Sequence, residues 1–136
     1  MKISATLDLR IPFQDVDSMR VVWHGNYVRY LEQVRAELLR GMGFTYGDMA
    51  AAGYVFPIVQ LSMKFMSPAR FDERIRVEAE LVPCENCLDI RYLIRSLESG
   101  KKLCKATTRQ MAVSAETGES LFLLPEPLLS KMREIL

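Results

Sequence analysis

A double change of hydrophobic period restricts the fold more than any other feature of this chain. Residues 3–12 place Ile3, Ala5, Leu7, Leu9 and Ile11 on alternate positions, with Ser4, Thr6, Asp8 and Arg10 between them. A period of two predicts a half-buried strand, and Pro12 ends it because proline cannot donate to a ladder. From about 25 to 41 the period becomes helical. Tyr27, Tyr30, Leu31, Val34 and Leu38 fall on one apolar stripe. Arg29, Glu32, Gln33, Arg35, Glu37 and Arg40 mostly take the other side, and Gly41 and Gly43 stop the helix. A further helical turn is expected near 45–52. From residue 56 the period returns to two, in runs built on Val59–Phe65, Ile75–Leu81, Leu88–Ile94 and Leu103–Val113. The breaks between them, at 67–69, 83–86 and 99–100, carry the Pro, Asn, Ser and Gly of turns.

One strand, one long helix and four strands in a row predict a single α+β domain over 1–136. The apolar stripe of the helix then lies across the inner face of an antiparallel sheet. Pro125-Glu126-Pro127 followed by residues 128–136 suggests a short docked C-terminal helix. A length of 136 residues with 49% hydrophobic content gives room for one core and not two.

Lys and Arg number 18 against 17 Asp and Glu, so the net charge of +1 offers no general attraction to nucleic acid or an anionic membrane. No basic stripe with interleaved aromatics appears either. No run approaches the roughly 20 apolar residues of a membrane span. The N-terminus has no apolar h-region, and with three thiols the expected location is the cytoplasm. Of those thiols, Cys84 and Cys87 have C-x-x-C spacing. A zinc site normally takes four ligands, and only Cys104 and His24 remain as soft donors. A redox C-x-x-C is expected to open a helix, whereas this one falls between two strand runs. Reduced turn cysteines, with no metal and no cofactor, are the expectation.

The segment between the first strand and the helix gathers the chemistry: Phe13-Gln-Asp15-Val-Asp17-Ser-Met-Arg20-Val-Val-Trp23-His24-Gly-Asn-Tyr27. It holds the only His and the only Trp. Two carboxylates stand two residues apart just before a helix start. The N–H groups of a helix's first turn can stabilise an oxyanion, and a nearby carboxylate can attack a carbonyl carbon or activate water. A thioester, with its good leaving group, needs little more. The same residues also fit a purely structural loop, with Asp15 and Asp17 binding backbone N–H groups and Trp23 in the core.

The stretch from Asp17 to Arg35, with Asp17, Val21, Val22, Trp23, His24, Tyr27, Tyr30, Leu31, Glu32 and Arg35 at fixed spacing, resembles the signature of the 4-hydroxybenzoyl-CoA thioesterase/YbgC-like branch of the hotdog-fold thioesterases. Phe65-Met-Ser-Pro68-Ala-Arg70-Phe-Asp72-Glu73 is similar to a second motif of that family, a turn between two strands. The resemblance implies a hotdog fold, an antiparallel sheet of about five strands wrapped around one long central helix. It implies hydrolysis of an acyl thioester, on CoA or on an acyl carrier protein, to free acid and thiol. Asp17 would be nucleophile or general base and His24 a second active-site group. Trp23, Tyr27, Arg20 and Ser62 are the candidate substrate contacts, and Asp15 is assigned a structural part. A homodimer with sheets joined edge to edge, or a homotetramer, is implied as well.

Three positions depart from the family pattern. Many relatives carry Gly where this chain has Arg20. Some carry Tyr where it has Phe13. The 84–87 turn is neutral to acidic where some CoA-using relatives are basic, which brings a carrier protein into consideration as the acyl donor. Two other functions share the fold: dehydration or hydration of acyl thioesters using His24 and an acid, and non-catalytic binding of an acyl carrier protein.

Overall fold

The computed structural model describes residues 2–136. Strand β1 (Ser4–Arg10) leads through a 3-10 turn (Phe13–Asp15) to the long helix α1 (His24–Met42) and the short helix α2 (Tyr46–Ala51). Strands β2 (Tyr54–Val55), β3 (Ile58–Phe65), β4 (Arg74–Val82), β5 (Leu88–Ser96), β6 (Lys102–Gln110) and β7 (Val113–Ser114) follow, then helix α3 (Glu126–Ile135). No helix among the described residues is long and apolar enough to cross a membrane.

Five strands form one antiparallel sheet in the order β1-β4-β5-β6-β3, and β2 pairs with β7 apart from it. The α+β reading and the single long helix match the sequence expectation. The small β2–β7 pair was not anticipated, because two residues are too few to show a period. Register aligns Leu7, Val77, Ile94, Cys104 and Phe65, and likewise Ala5, Ala79, Tyr92, Ala106 and Met63, across all five strands. These rows face α1. Its stripe residues Tyr27, Tyr30, Leu31, Val34 and Leu38 are all buried against them. Each such aliphatic side chain contributes about 1.5–3 kcal/mol on burial, so the stripe suffices to hold the helix on the sheet.

The helix ends as its sequence predicts. Gly43 adopts φ 83°, and its N–H reaches back to the carbonyls of Arg40 and Leu39. Thr45 and Asp48 form a reciprocal capping box that starts α2. Arg35 corrects the reading of the polar face, for it is buried in the core. Its Nε donates to the Tyr46 hydroxyl at 2.6 Å and its guanidinium to the Tyr92 hydroxyl at 3.2 Å, and it pairs with Glu32. Tyr46, at the start of α2, reaches over this flank of α1, and a helical wheel carries no information about that cover.

Strand β3 is the second departure. Its alternation predicts one buried face, yet Ile58, Val59, Leu61 and Phe65 are all exposed. It is an edge strand, hydrogen-bonded to β6 alone, with a bulge between Ile58 and Gln60.

Candidate active site

The loop between β1 and α1 has two physically different parts. The first is bolted down. Asp15 is 3% exposed, accepts a hydrogen bond from the Tyr30 hydroxyl at 2.6 Å, and pairs with Arg29. Its carbonyl accepts the Trp23 N–H at 3.0 Å and the Asn26 side-chain amide at 2.8 Å. Burial first, and the Asp15 carboxylate second, push the Tyr30 hydroxyl far above the ordinary tyrosine range, so it remains a donor. Asp15 thus fixes the entry of α1, in agreement with the structural part assigned to it.

The second part is a tight turn carrying Asp17. The Asp17 N–H donates to the Val21 carbonyl at 2.9 Å, and its own carbonyl accepts the Arg20 N–H at 2.9 Å. Its side chain is half-buried, and Oδ1 accepts the Met19 N–H at 2.8 Å. The other carboxylate oxygen has no recorded hydrogen bond among the described residues. Arg20 closes the turn at φ 63°, in the left-handed region that favours glycine. Arg20 points its side chain into solvent.

Helix α1 begins at His24 without a side-chain cap. The Asn26 N–H bonds the Trp23 carbonyl at 2.9 Å. The N–H groups of His24 and Gly25 have no recorded partner among the described residues, so they are open donors at the positive end of a 19-residue helix. The Trp23 indole folds back over Gly25. A Cβ on Gly25 would stand 2.2 Å from the indole Cζ3, so no other residue fits beneath this ring placement.

The second motif meets this loop directly. The Val22 N–H donates to the Ala69 carbonyl at 2.8 Å, and the Phe71 N–H to the Arg20 carbonyl at 3.3 Å. The buried Tyr27 hydroxyl accepts the Ala69 N–H at 3.2 Å, and burial raises its pKa despite that bond. Asp72 is also left-handed, at φ 67°, and its N–H binds the Ile11 carbonyl. Aromatic and sulfur side chains rim the junction. Phe13 meets Phe71 edge-on at 5.7 Å, the His24 ring lies 5.1 Å from Trp23 and 6.3 Å from Phe65, and Tyr27 lies 5.4 Å from Phe65. Phe13, Met19, Trp23, Phe65 and Phe71 are each about half exposed or more, a large apolar surface for one small region.

Asp17, Arg20, Trp23, His24 and Tyr27 therefore belong to one neighbourhood. Ser62 does not. It sits on β3 opposite Thr107, between the inward-facing Leu61 and Met63, and faces away from α1. Trp23 is half exposed, so it is not a core residue. Sequence reasoning passed over Gly25, whose missing side chain makes room for the indole, and Phe65, which the β3 edge carries to the helix start. Gly25 lay inside the recognised motif. Phe65 opened the second motif, but nothing in the sequence announced that it would face His24.

An antiparallel five-stranded sheet wrapped around one long helix defines a hotdog-fold domain. The chain belongs to the thioesterase-like superfamily, whose sequence profile matches residues 11–132. Among named relatives, YneP of Bacillus subtilis (strain 168), provisionally named an acyl-CoA thioesterase, is 29% identical over 110 residues, 81% of this chain and 80% of that protein. The acyl-CoA thioester hydrolase YbgC of Escherichia coli O157:H7 is 29% identical over 73 residues, covering 54% of each chain. The 1,4-dihydroxy-2-naphthoyl-CoA thioesterase Slr0204 from Synechocystis superposes with a TM-score of 0.86 over 97% of both chains at 19% identity, a likeness of fold.

Proposed function

We propose that this chain hydrolyses an acyl thioester, carried on CoA or on an acyl carrier protein, with Asp17 as the reacting carboxylate. One observation carries the reading: in a member of the thioesterase-like superfamily, the uncapped start of α1 offers two free N–H donors beside the loop that holds Asp17. Those donors are suited to the oxygen of a thioester carbonyl as negative charge develops on it. Asp17 attacks the carbon directly, giving a mixed anhydride, or takes a proton from the attacking water. The Met19 N–H holds one carboxylate oxygen and leaves the other for reaction. His24, exposed at the first position of α1, is a second polar group at the site. Trp23 and the exposed apolar rim suit the acyl group, and the solvent-facing Arg20 suits a phosphate of the carrier. Tyr27 acts from behind, holding the 66–73 turn against the loop.

A second copy of the chain fits the open edge of β3. That strand presents unpaired backbone groups and exposed apolar side chains, the condition that edge-to-edge pairing relieves. Three free thiols fit a reducing compartment such as the cytoplasm.

The test is a hydrolysis panel of short, long and aromatic acyl groups, each on CoA and on carrier protein, read as thiol release. The wild-type chain is expected to turn over at least one of them. Asp17→Asn is expected to lower kcat by about 10^3-fold with an unchanged melting temperature. Full activity in that variant would remove Asp17 from the mechanism. An enoyl product from a 3-hydroxyacyl thioester would replace hydrolysis with dehydration.

A further inference from the structure

The hairpin turn joining β4 to β5 carries a feature that thioester hydrolysis does not use. Strand β4 ends at Val82 and β5 begins at Leu88, so residues 83–87 form the loop. Within it the sulfurs of Cys84 and Cys87 lie 3.3 Å apart. Cys84 is partly exposed and Cys87 is buried. The sequence expectation of idle turn cysteines treated the spacing as uninformative outside a helix start. The turn makes the two sulfurs neighbours by another route, folding the chain between them.

We propose that Cys84 and Cys87 form a reversible dithiol–disulfide site, with Cys84 as the attacking thiol and Cys87 as the resolving one. A disulfide requires sulfurs brought to about 2 Å, and the turn already holds these two within 3.3 Å of each other. Access decides the order of attack, because only Cys84 is open to a reagent in solution. Ionisation agrees with access. Burial opposes the Cys84 thiolate, but the Asn86 N–H, the Cys87 thiol and the Cys87 N–H outweigh it and hold its pKa below the ordinary thiol value. Burial, with the Cys84 and Asp89 side chains behind it, raises that of Cys87. The thiolate is the nucleophile in such exchange. A metal is the weaker assignment, since among the described residues no group of three or more His, Cys, Asp or Glu side chains is placed to hold one.

The oxidant is a low-molecular-weight disulfide. The Cys84 thiolate attacks one of its sulfurs, breaks its S–S bond and expels one small thiolate, leaving a mixed disulfide on Cys84. Cys87 passes its proton to solvent base and attacks the Cys84 sulfur, expelling the second small thiolate. Two chain thiols lose two electrons and two protons, and one small disulfide becomes two thiols. The ring encloses Glu85 and Asn86. Those residues hold the segment that leads into α3: the Leu124 N–H donates to the Glu85 carbonyl at 2.8 Å, and the Asn86 amide donates to the Phe122 carbonyl at 2.8 Å. Oxidation therefore acts on a joint between the sheet and the C-terminal helix.

The experiment equilibrates the full chain with mixtures of reduced and oxidised glutathione, traps free thiols by alkylation and maps them by peptide mass spectrometry. The expected oxidised species joins Cys84 to Cys87, leaves the buried Cys104 as a thiol and returns to the dithiol when reductant is added. Cys87→Ser is expected to stop at a stable glutathione adduct on Cys84. In Cys84→Ser, Cys87 is expected to react at least tenfold more slowly than Cys84 does in the wild type. A wild-type chain that keeps both thiols, or that accumulates glutathione on Cys84 without closing the ring, would overturn the proposal. The readout involves no thioester, so it stands or falls apart from the proposed activity.

Discussion

The two aspartates of the loop between β1 and α1 are two residues apart and live in opposite environments. Asp15 is buried and both its oxygens are engaged, by Tyr30 and by Arg29. Asp17 is half-buried with one oxygen engaged. Under the proposed function, the contrast separates scaffold from chemistry. A carboxylate with both oxygens engaged by protein donors is held in place. One tethered through a single oxygen is positioned and still available.

Breaking the scaffold half is expected to have the largest effect on stability. Asp15→Ala leaves the buried Tyr30 hydroxyl without its charged acceptor and removes the partner of Arg29, at a cost of about 3 kcal/mol. The melting temperature should fall by about 10 °C, measured by calorimetry. Asp17→Asn should leave it unchanged, so equal destabilisation by the two variants would erase the distinction. Gly25→Ala is intermediate. The indole must leave its place over the helix start, and since it is already half exposed, stability should change little. Activity should drop about 10- to 100-fold through misplacement at the site, with a shift in the emission of the single tryptophan. Unchanged emission would mean that the indole tolerates the methyl group. Arg20→Gly is the smallest. It relieves about 1 kcal/mol of left-handed strain and costs about 0.5 kcal/mol in chain entropy, for a net gain near 0.5 kcal/mol in denaturant unfolding. A loss of stability there would show that the arginine side chain helps to hold the turn.

The sequence revealed what repeats along the chain and concealed what depends on neighbours. The stripe from Tyr27 to Leu38 was legible because burial on a helix follows spacing. Arg35 was not, because its burial comes from Tyr46 and Tyr92, which lie on other elements. The alternation of β3 was read correctly as a strand, yet no pattern along one chain tells whether an apolar face is covered, and here it is not. In the site, the acids and the helix start were visible as a motif. The left-handed turn at Arg20 was hidden, since arginine carries no signal for positive φ. Ser62 alternates with Leu61 and Met63, and on β3 it takes the face turned away from α1.

The order of the strands has a consequence for the way damage spreads. Strands β4, β5 and β6 form a meander of contacts between near neighbours in sequence, whereas β1 and β3 are the two edges, joined to it by distant partners such as Ser4 with Glu80 and Phe65 with Cys104. The loop after β1 and the turn after β3 are the two pieces that meet at Val22 and Ala69 to frame Asp17. The region proposed to react thus depends on a contact between segments distant in the chain, where the loop-closure cost is greatest. Mild destabilisation should loosen the edges first, and a sample can keep its meander, and most of its strand signal in circular dichroism, after its catalytic competence has gone.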